Sequence, residues 1–152
     1  TVDTEERNHL WQARHDAYYA AMALRPGCKG MTTDVCVPIS RLAECLLETR
    51  KDIDESGILA PIVGHVGDGN FHTAMIISPD DEDEIARAYE VNERMVMRAL
   101  AMGGTCTGEH GVGYGKMDFL VAEHGEAVSL MRTLKLAFDP DNIMNPGKIV
   151  RV

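Results

Sequence analysis

The sequence predicts an α+β fold: a mainly antiparallel sheet with helices packed on one face, of ferredoxin-like type, followed by a C-terminal helical segment. Three observations lead there. Two β-rich stretches, Pro61 to Val66 and Phe71 to Ile77, are joined only by a glycine-rich turn and read as a hairpin. The other β-rich stretches are separated by long segments of helical periodicity. Those helical segments carry one apolar face each, which suits packing on a sheet.

Taken in order, Thr4-Glu5-Glu6 can cap and charge a helix running to about Leu24, where Pro26-Gly27 stops it. Leu10, Trp11, Ala17, Tyr18 and Ala21 form its apolar stripe, and Arg14 falls on that stripe. Such an arginine either snorkels at a rim or aims its fork into a site that holds a carboxylate. Met31 to Val37 is β-rich and ends at Pro38, so it reads as a strand. A second helix starts at Ser40 with Leu42, Cys45, Leu46, Thr49 and Ile53 on one face, and Gly57 closes it. The hairpin follows. Pro79-Asp80-Asp81 opens a third helix with Ile85, Tyr89, Val96 and Leu100 at core spacing, ended by Gly103-Gly104. Thr105 to Thr107 has room only for a short strand, and two short helices are expected over 116–123 and 126–138.

At 152 residues the chain reads as one domain with a real core. Its composition, 45% hydrophobic and 26% charged, excludes a disordered chain. The net charge of −9 and the lack of a Lys/Arg run argue against nucleic acid or anionic membranes as partners. Cys28, Cys36, Cys45 and Cys106 contain no C-x-x-C pair and read as reduced, structural thiols. No apolar run approaches the ~20 residues of a membrane span. The chain opens at Thr1 and runs directly into a helix, as an excised fragment would.

Two stretches carry chemistry. In Gly64-His65-Val66-Gly67-Asp68-Gly69-Asn70-Phe71-His72, a two-residue Asp68-Gly69 loop would set His65 opposite His72 on one sheet face. Two imidazoles so placed can share an ion, although a His pair alone is equally a plain surface hairpin. In Gly108-Glu109-His110-Gly111, adjacent residues point different ways, so one can complete a metal site while the other faces a substrate. Glutamate suits the ligand role, because His₂Glu with an open fourth position is a catalytic arrangement. His110 suits a base. The Gly111-x-Gly113-x-Gly115 run lacks the dinucleotide spacing and leaves a phosphate nest as its alternative reading.

Trp-Gln-Ala-Arg-His, Pro-Gly-Cys-Lys-Gly, Thr-Asp-Val-Cys-Val-Pro, GHVGDGNFH, CTGEHGVG and MNPGK occur in that order. In this the chain resembles the C-terminal half of FAD-linked D-2-hydroxy acid dehydrogenases, flavoproteins of the vanillyl-alcohol oxidase type, closest to their D-lactate dehydrogenase (cytochrome) group. The resemblance covers nearly the whole chain. It implies that residues 1–152 are a cap and substrate domain from a longer flavoprotein whose FAD-binding domain lies outside this sequence. It implies a divalent metal, zinc or manganese, on His65, His72 and Glu109, with His110 as base. Arg14 would clamp the substrate carboxylate, Tyr18 would wall the pocket, and Asn145 would approach the flavin.

The implied reaction is oxidation of a D-2-hydroxy acid, D-lactate first, to the 2-oxo acid with hydride transfer to FAD. The electron acceptor would be a cytochrome, a quinone or an electron-transfer flavoprotein. The implied location is mitochondrial in a eukaryote, or cytoplasmic or peripherally membrane-associated in a bacterium. Two departures favour a small monocarboxylate over a dicarboxylate: Ala74 stands where 2-hydroxyglutarate oxidisers carry a polar residue, and Thr32 where they carry a lysine. Alone, the fragment is expected to be inactive and to expose an apolar docking face that drives self-association. The competing readings are a glycolate or D-2-hydroxyglutarate dehydrogenase of the same family, a non-flavin metal-binding module, and a metal-dependent hydrolase using His110.

Overall fold

The computed structural model describes all of residues 1–152. Helix α1 spans Thr4–Ala23, followed by strands β1 (Lys29–Thr32) and β2 (Val35–Cys36) and helix α2 (Ile39–Ser56). Strands β3 (Ile62–His65) and β4 (Asn70–Ile77), joined by one 3₁₀ turn over Val66–Asp68, precede α3 (Glu82–Ala101), α4 (Met117–His124) and α5 (Ala127–Phe138). The helix ends follow local chemistry. Asp3 caps α1 through the Glu6 N–H, Asp81 caps α3 through the Glu84 N–H, and Gly57 closes α2 in the left-handed conformation.

Strand β4 is the centre of the antiparallel sheet. It pairs with β1 and β2 along one edge and with β3 along the other. The single strand expected over Met31 to Val37 is broken, because Thr33 and Asp34 leave regular pairing to bury polar side chains. The register is nevertheless continuous: Thr32 faces Ala74 before the break, Val35 faces Phe71 after it, and the Thr33 N–H donates to the Thr73 carbonyl between them. The short strand expected at Thr105 to Thr107 is a single bridge from Thr105 to Cys36. Counting that bridge, the order Thr105, β2, β4, β3 with α2 and α3 as crossovers is a split βαβ arrangement.

All eight residues of β4 are buried. Alternation sends Phe71, Met75 and Ile77 to the face covered by α2 and α3, where they pack with Cys45, Ile53, Val91, Met95 and Ala99. Arg98 of α3 pins the two helices together through Glu48, Thr49 and Asp52 of α2. His72 and Ala74 point the other way, toward α1. That helix does not bury the stripe expected of it. Only Ala21 is buried, while Leu10, Trp11 and Tyr18 stay half exposed, because no second layer lies behind the helix. All four cysteines are free thiols, with Cys45 and Cys106 buried. No helix is long and apolar enough to cross a membrane.

Candidate metal centre and substrate pocket

The hairpin carries a register different from the expected one. Its turn takes four residues rather than two, so His65 faces Asn70 and Val63 faces His72. Gly69 causes this. Its φ of 75° is left-handed, its carbonyl accepts the Val37 N–H, and any Cβ would overlap the Val37 carbonyl oxygen. The shift is two residues, and a strand's side chains repeat every two, so both histidines keep the same face. Their rings lie 6.3 Å apart as diagonal rather than direct neighbours.

Glu109 closes the group. Its Oε1 lies 2.9 Å from His72 Nε2 and 3.6 Å from His65 Nε2, and the three candidate ligand atoms lie within 4.8 Å of one another. Bonds of ~2.0–2.2 Å to a shared tetrahedral ion require ligand atoms roughly 3.3–3.6 Å apart, so only small adjustments are needed. His72 Nδ1 lies 3.0 Å from the Thr33 carbonyl, which places the ring proton on Nδ1 and leaves the Nε2 lone pair for a cation. Two imidazole nitrogens and one carboxylate oxygen are a donor set that a divalent first-row ion can use.

Arg14 reaches the same place from α1. Its Nη2 donates to His65 Nε2 at 2.7 Å, the very nitrogen a metal would use. One lone pair serves one partner, so a cation on His65 frees the guanidinium. The His110 ring stacks on His72 at 4.8 Å and 9°, and its Nε2 stands 3.9 Å from Glu109 Oε1. It is half exposed and faces a cavity of about 240 Å³ that Arg14, Tyr18, Thr32, His72, Ala74 and Glu109 also line. That is below the ~300–1,000 Å³ of pockets for drug-sized ligands and on the scale of a small organic acid. One end is cationic and the wall includes Ala17, Ala21, Pro61 and Val63, so a carboxylate with a short apolar tail is complemented.

Asn145, expected to approach the flavin, lies outside the substrate pocket. With a left-handed φ of 48°, it lines a separate cleft beside Phe138, Met144 and Lys148.

Asp34 carries no assigned role in the sequence beyond its place in the Thr-Asp-Val-Cys-Val-Pro motif. Its fully buried carboxylate accepts hydrogen bonds from Asn70, Thr107, Gly108, Glu109, His110 and Lys116. Burial, the largest single influence, would raise its pKa, yet the His110 N–H, the Asn70 amide and the Lys116 ammonium together outweigh it. The carboxyl is held well below the usual range. Asp34 also lies within ligand distance of His72 and His110, but its oxygens are already saturated by donors, so it offers a cation little. The available signal was a carboxylate inside a β-rich apolar run, Thr33-Asp34-Val35, where charge has to find internal partners.

A hairpin and a glycine-flanked loop thus set a His₂Glu group beside a small, arginine-edged pocket in an α+β domain, a candidate metal and ligand site. The chain belongs to the family of FAD linked oxidases, C-terminal domain, whose model matches residues 1–149. It is 56% identical to the probable mitochondrial D-lactate dehydrogenase of Danio rerio over 99% of this chain and 30% of that protein. It is 46% identical to the mitochondrial D-lactate dehydrogenase [cytochrome] of Arabidopsis thaliana over 97% of this chain and 26% of that one. To the glycolate oxidase subunit GlcD of Bacillus subtilis it is 36% identical over 98% of this chain and 32% of the relative. The chain thus spans about a third or less of the length of the curated relatives it matches.

Proposed function

We propose that this chain is the substrate domain of an FAD-dependent D-2-hydroxy acid dehydrogenase, acting on D-lactate or a slightly longer monocarboxylate. The observation that carries the reading is Glu109 reaching both His72 and His65 while His110 stacks beside them over an arginine-edged pocket.

Oxidising a 2-hydroxy acid needs the carboxylate held, the hydroxyl proton removed and the C–H aimed at an electron acceptor. Arg14 holds the carboxylate with its planar fork. His110, open to the cavity, takes the hydroxyl proton on a ring nitrogen. Tyr18 and the alanine wall exclude water from the tail. A divalent cation held by His65, His72 and Glu109 would supply Lewis-acid stabilisation of negative charge on the hydroxyl oxygen. FAD, bound mainly by residues outside this chain, would supply the two-electron sink.

The small residues Thr32 and Ala74 leave no second cation for a distal carboxylate, which supports a monocarboxylate over 2-hydroxyglutarate. The apolar wall favours D-lactate over glycolate, which has no methyl group to fill it. Two relatives are named as mitochondrial, and one of them as a cytochrome-linked enzyme, so a mitochondrial setting and a cytochrome acceptor are part of this reading. The open side of α1 is where the remainder of a longer protein would pack.

The test uses the flavin-loaded protein that carries this chain. His65→Ala and His72→Ala are expected to lose stoichiometric metal. His110→Asn should keep metal and flavin yet lose flavin reduction by D-lactate in stopped-flow absorbance. Retained metal in both alanine variants, or normal flavin reduction in His110→Asn, would refute the reading.

A further inference from the structure

Asp34 has no part in that chemistry, yet its carboxylate gathers six hydrogen-bond donors beside the candidate site. Its Oδ2 accepts the backbone N–H groups of Gly108 (2.9 Å), Glu109 (3.1 Å) and His110 (3.0 Å), the Thr107 hydroxyl (3.0 Å) and the Lys116 ammonium (3.3 Å). Its Oδ1 accepts the Asn70 amide at 2.8 Å. Three consecutive N–H groups converging on one oxygen form a nest whose anion is the protein's own side chain.

The consequence is geometric. Glu109 and His110 leave the backbone from amides pinned to the same atom, so one carboxylate dictates where both side chains start. The preceding residue contributes too, since the Thr33 carbonyl accepts from His72 Nδ1. The dipeptide Thr33-Asp34 therefore orients groups on both sides of the candidate metal. Lys116 closes the loop by donating to the Asp34 carbonyl as well as its carboxylate. Gly108 permits the close approach, because a Cβ there would overlap the Asn70 amide and lie 2.9 Å from Asp34 Oδ1.

We propose that Asp34, with Lys116 as its counter-ion, is the positioning residue of this site. It holds residues 108–110 so that Glu109 meets the metal while His110 faces the substrate. The proposal rests on the metal reading given above. Asp34 touches neither substrate nor metal and acts through Glu109 and His110.

Calorimetric titration of the metal-stripped, flavin-loaded protein that carries this chain with Mn²⁺ or Zn²⁺ tests it, using wild type, Asp34→Asn, Glu109→Gln and the double variant. Removing an outer-shell partner typically costs about 10–100-fold in metal affinity, and Asp34→Asn is expected in that range. The double variant should bind within about twofold of Glu109→Gln alone, because a residue acting through Glu109 has nothing further to lose. A merely structural role predicts losses that multiply instead. In ¹H–¹⁵N exchange spectra, the amides of Gly108, Glu109 and His110 should be protected in wild type. Asp34→Asn should release those three while β4 stays protected.

Unchanged metal affinity in Asp34→Asn, multiplicative losses, or unprotected loop amides in wild type would each overturn the proposal. Should Asp34→Asn not fold, Lys116→Met keeps the carboxylate and is expected to weaken metal binding by about threefold or more, again without additivity to Glu109→Gln. Wild type that binds neither ion defeats the metal reading and, with it, the ligand-positioning half of this one. Loop protection needs no metal and still decides whether Asp34 holds the loop.

Discussion

Replacing Gly108 by alanine should destabilise the chain by about 2–4 kcal/mol, whereas the same change at Gly67 should be neutral or mildly stabilising. Neither glycine has a left-handed φ, so each alanine gains the same ~0.4–1 kcal/mol by restricting the unfolded chain. The surroundings decide the sign. Around Gly67 nothing lies within 4 Å of an added Cβ. At Gly108 the methyl would overlap the amide of Asn70, a 5% exposed side chain that donates to Asp34 at 2.8 Å and to the Val35 carbonyl at 3.0 Å. Moving Asn70 aside gives up two buried hydrogen bonds, about 1.5–3 kcal/mol for the one to the Asp34 carboxylate and about 0.5–1.5 kcal/mol for the one to the Val35 carbonyl, less the gain from the unfolded chain. At ~2–4 °C per kcal/mol for a chain of this size, the melting temperature should drop by roughly 4–16 °C. Thermal unfolding of the two variants beside wild type is the assay. Gly108→Ala melting at or above wild type would show that the loop does not press on Asn70 and Asp34 as described.

Acid provides a second check. The native Asp34 carboxyl is held below its ordinary value of 3.8, so the folded chain binds fewer protons than the unfolded one as pH falls through that region. The stability it contributes is complete above about pH 5 and is lost progressively below it, so the melting temperature of Asp34→Asn should depend less steeply on pH between about 5 and 2. Thiol labelling gives a third. Burial, reinforced by Glu123, pushes the Cys106 thiol up to about 12, and Cys45 is likewise buried and raised, so mass spectrometry after brief alkylation at neutral pH should find both unmodified. Cys28 lies nearer the surface and should label first; Cys106 reacting as fast in the native chain would contradict its burial. Finally, Phe71→Ala removes a fully buried ring from the α2–α3 face and should cost about 3–5 kcal/mol, read by urea denaturation.

The candidate site was legible in the sequence where its logic is local. Glu109 and His110 are neighbours, and a strand's alternation makes the shared face of His65 and His72 robust to a two-residue error in register. The turn departs from expectation because Asp68-Gly69 is the signature of a two-residue hairpin. Here Gly69 is drawn instead to Val37, a partner 32 residues away in the chain. Arg14 stood out on its helix, but its contact with His65 Nε2 spans 51 residues and no periodicity encodes it.

What the sequence determined by itself is the set of elements and the faces they present. Apolar periodicity and helix caps act over a few residues, so α1 to α5 fall within a few positions of expectation, and the hairpin histidines share a side. What only the tertiary structure decided is everything that depends on one segment meeting a distant one. Asp34 is a case in point: in the sequence it is one acidic residue among 24 Asp and Glu, and in the fold a buried charge gathering donors from residues 70 and 107–116. Charge in a low-dielectric interior must be satisfied by whatever the fold brings near, and that choice is made in three dimensions. GHVGDGNFH supplies two imidazoles, and the Asp34-held loop brings the carboxylate that makes them a candidate metal site.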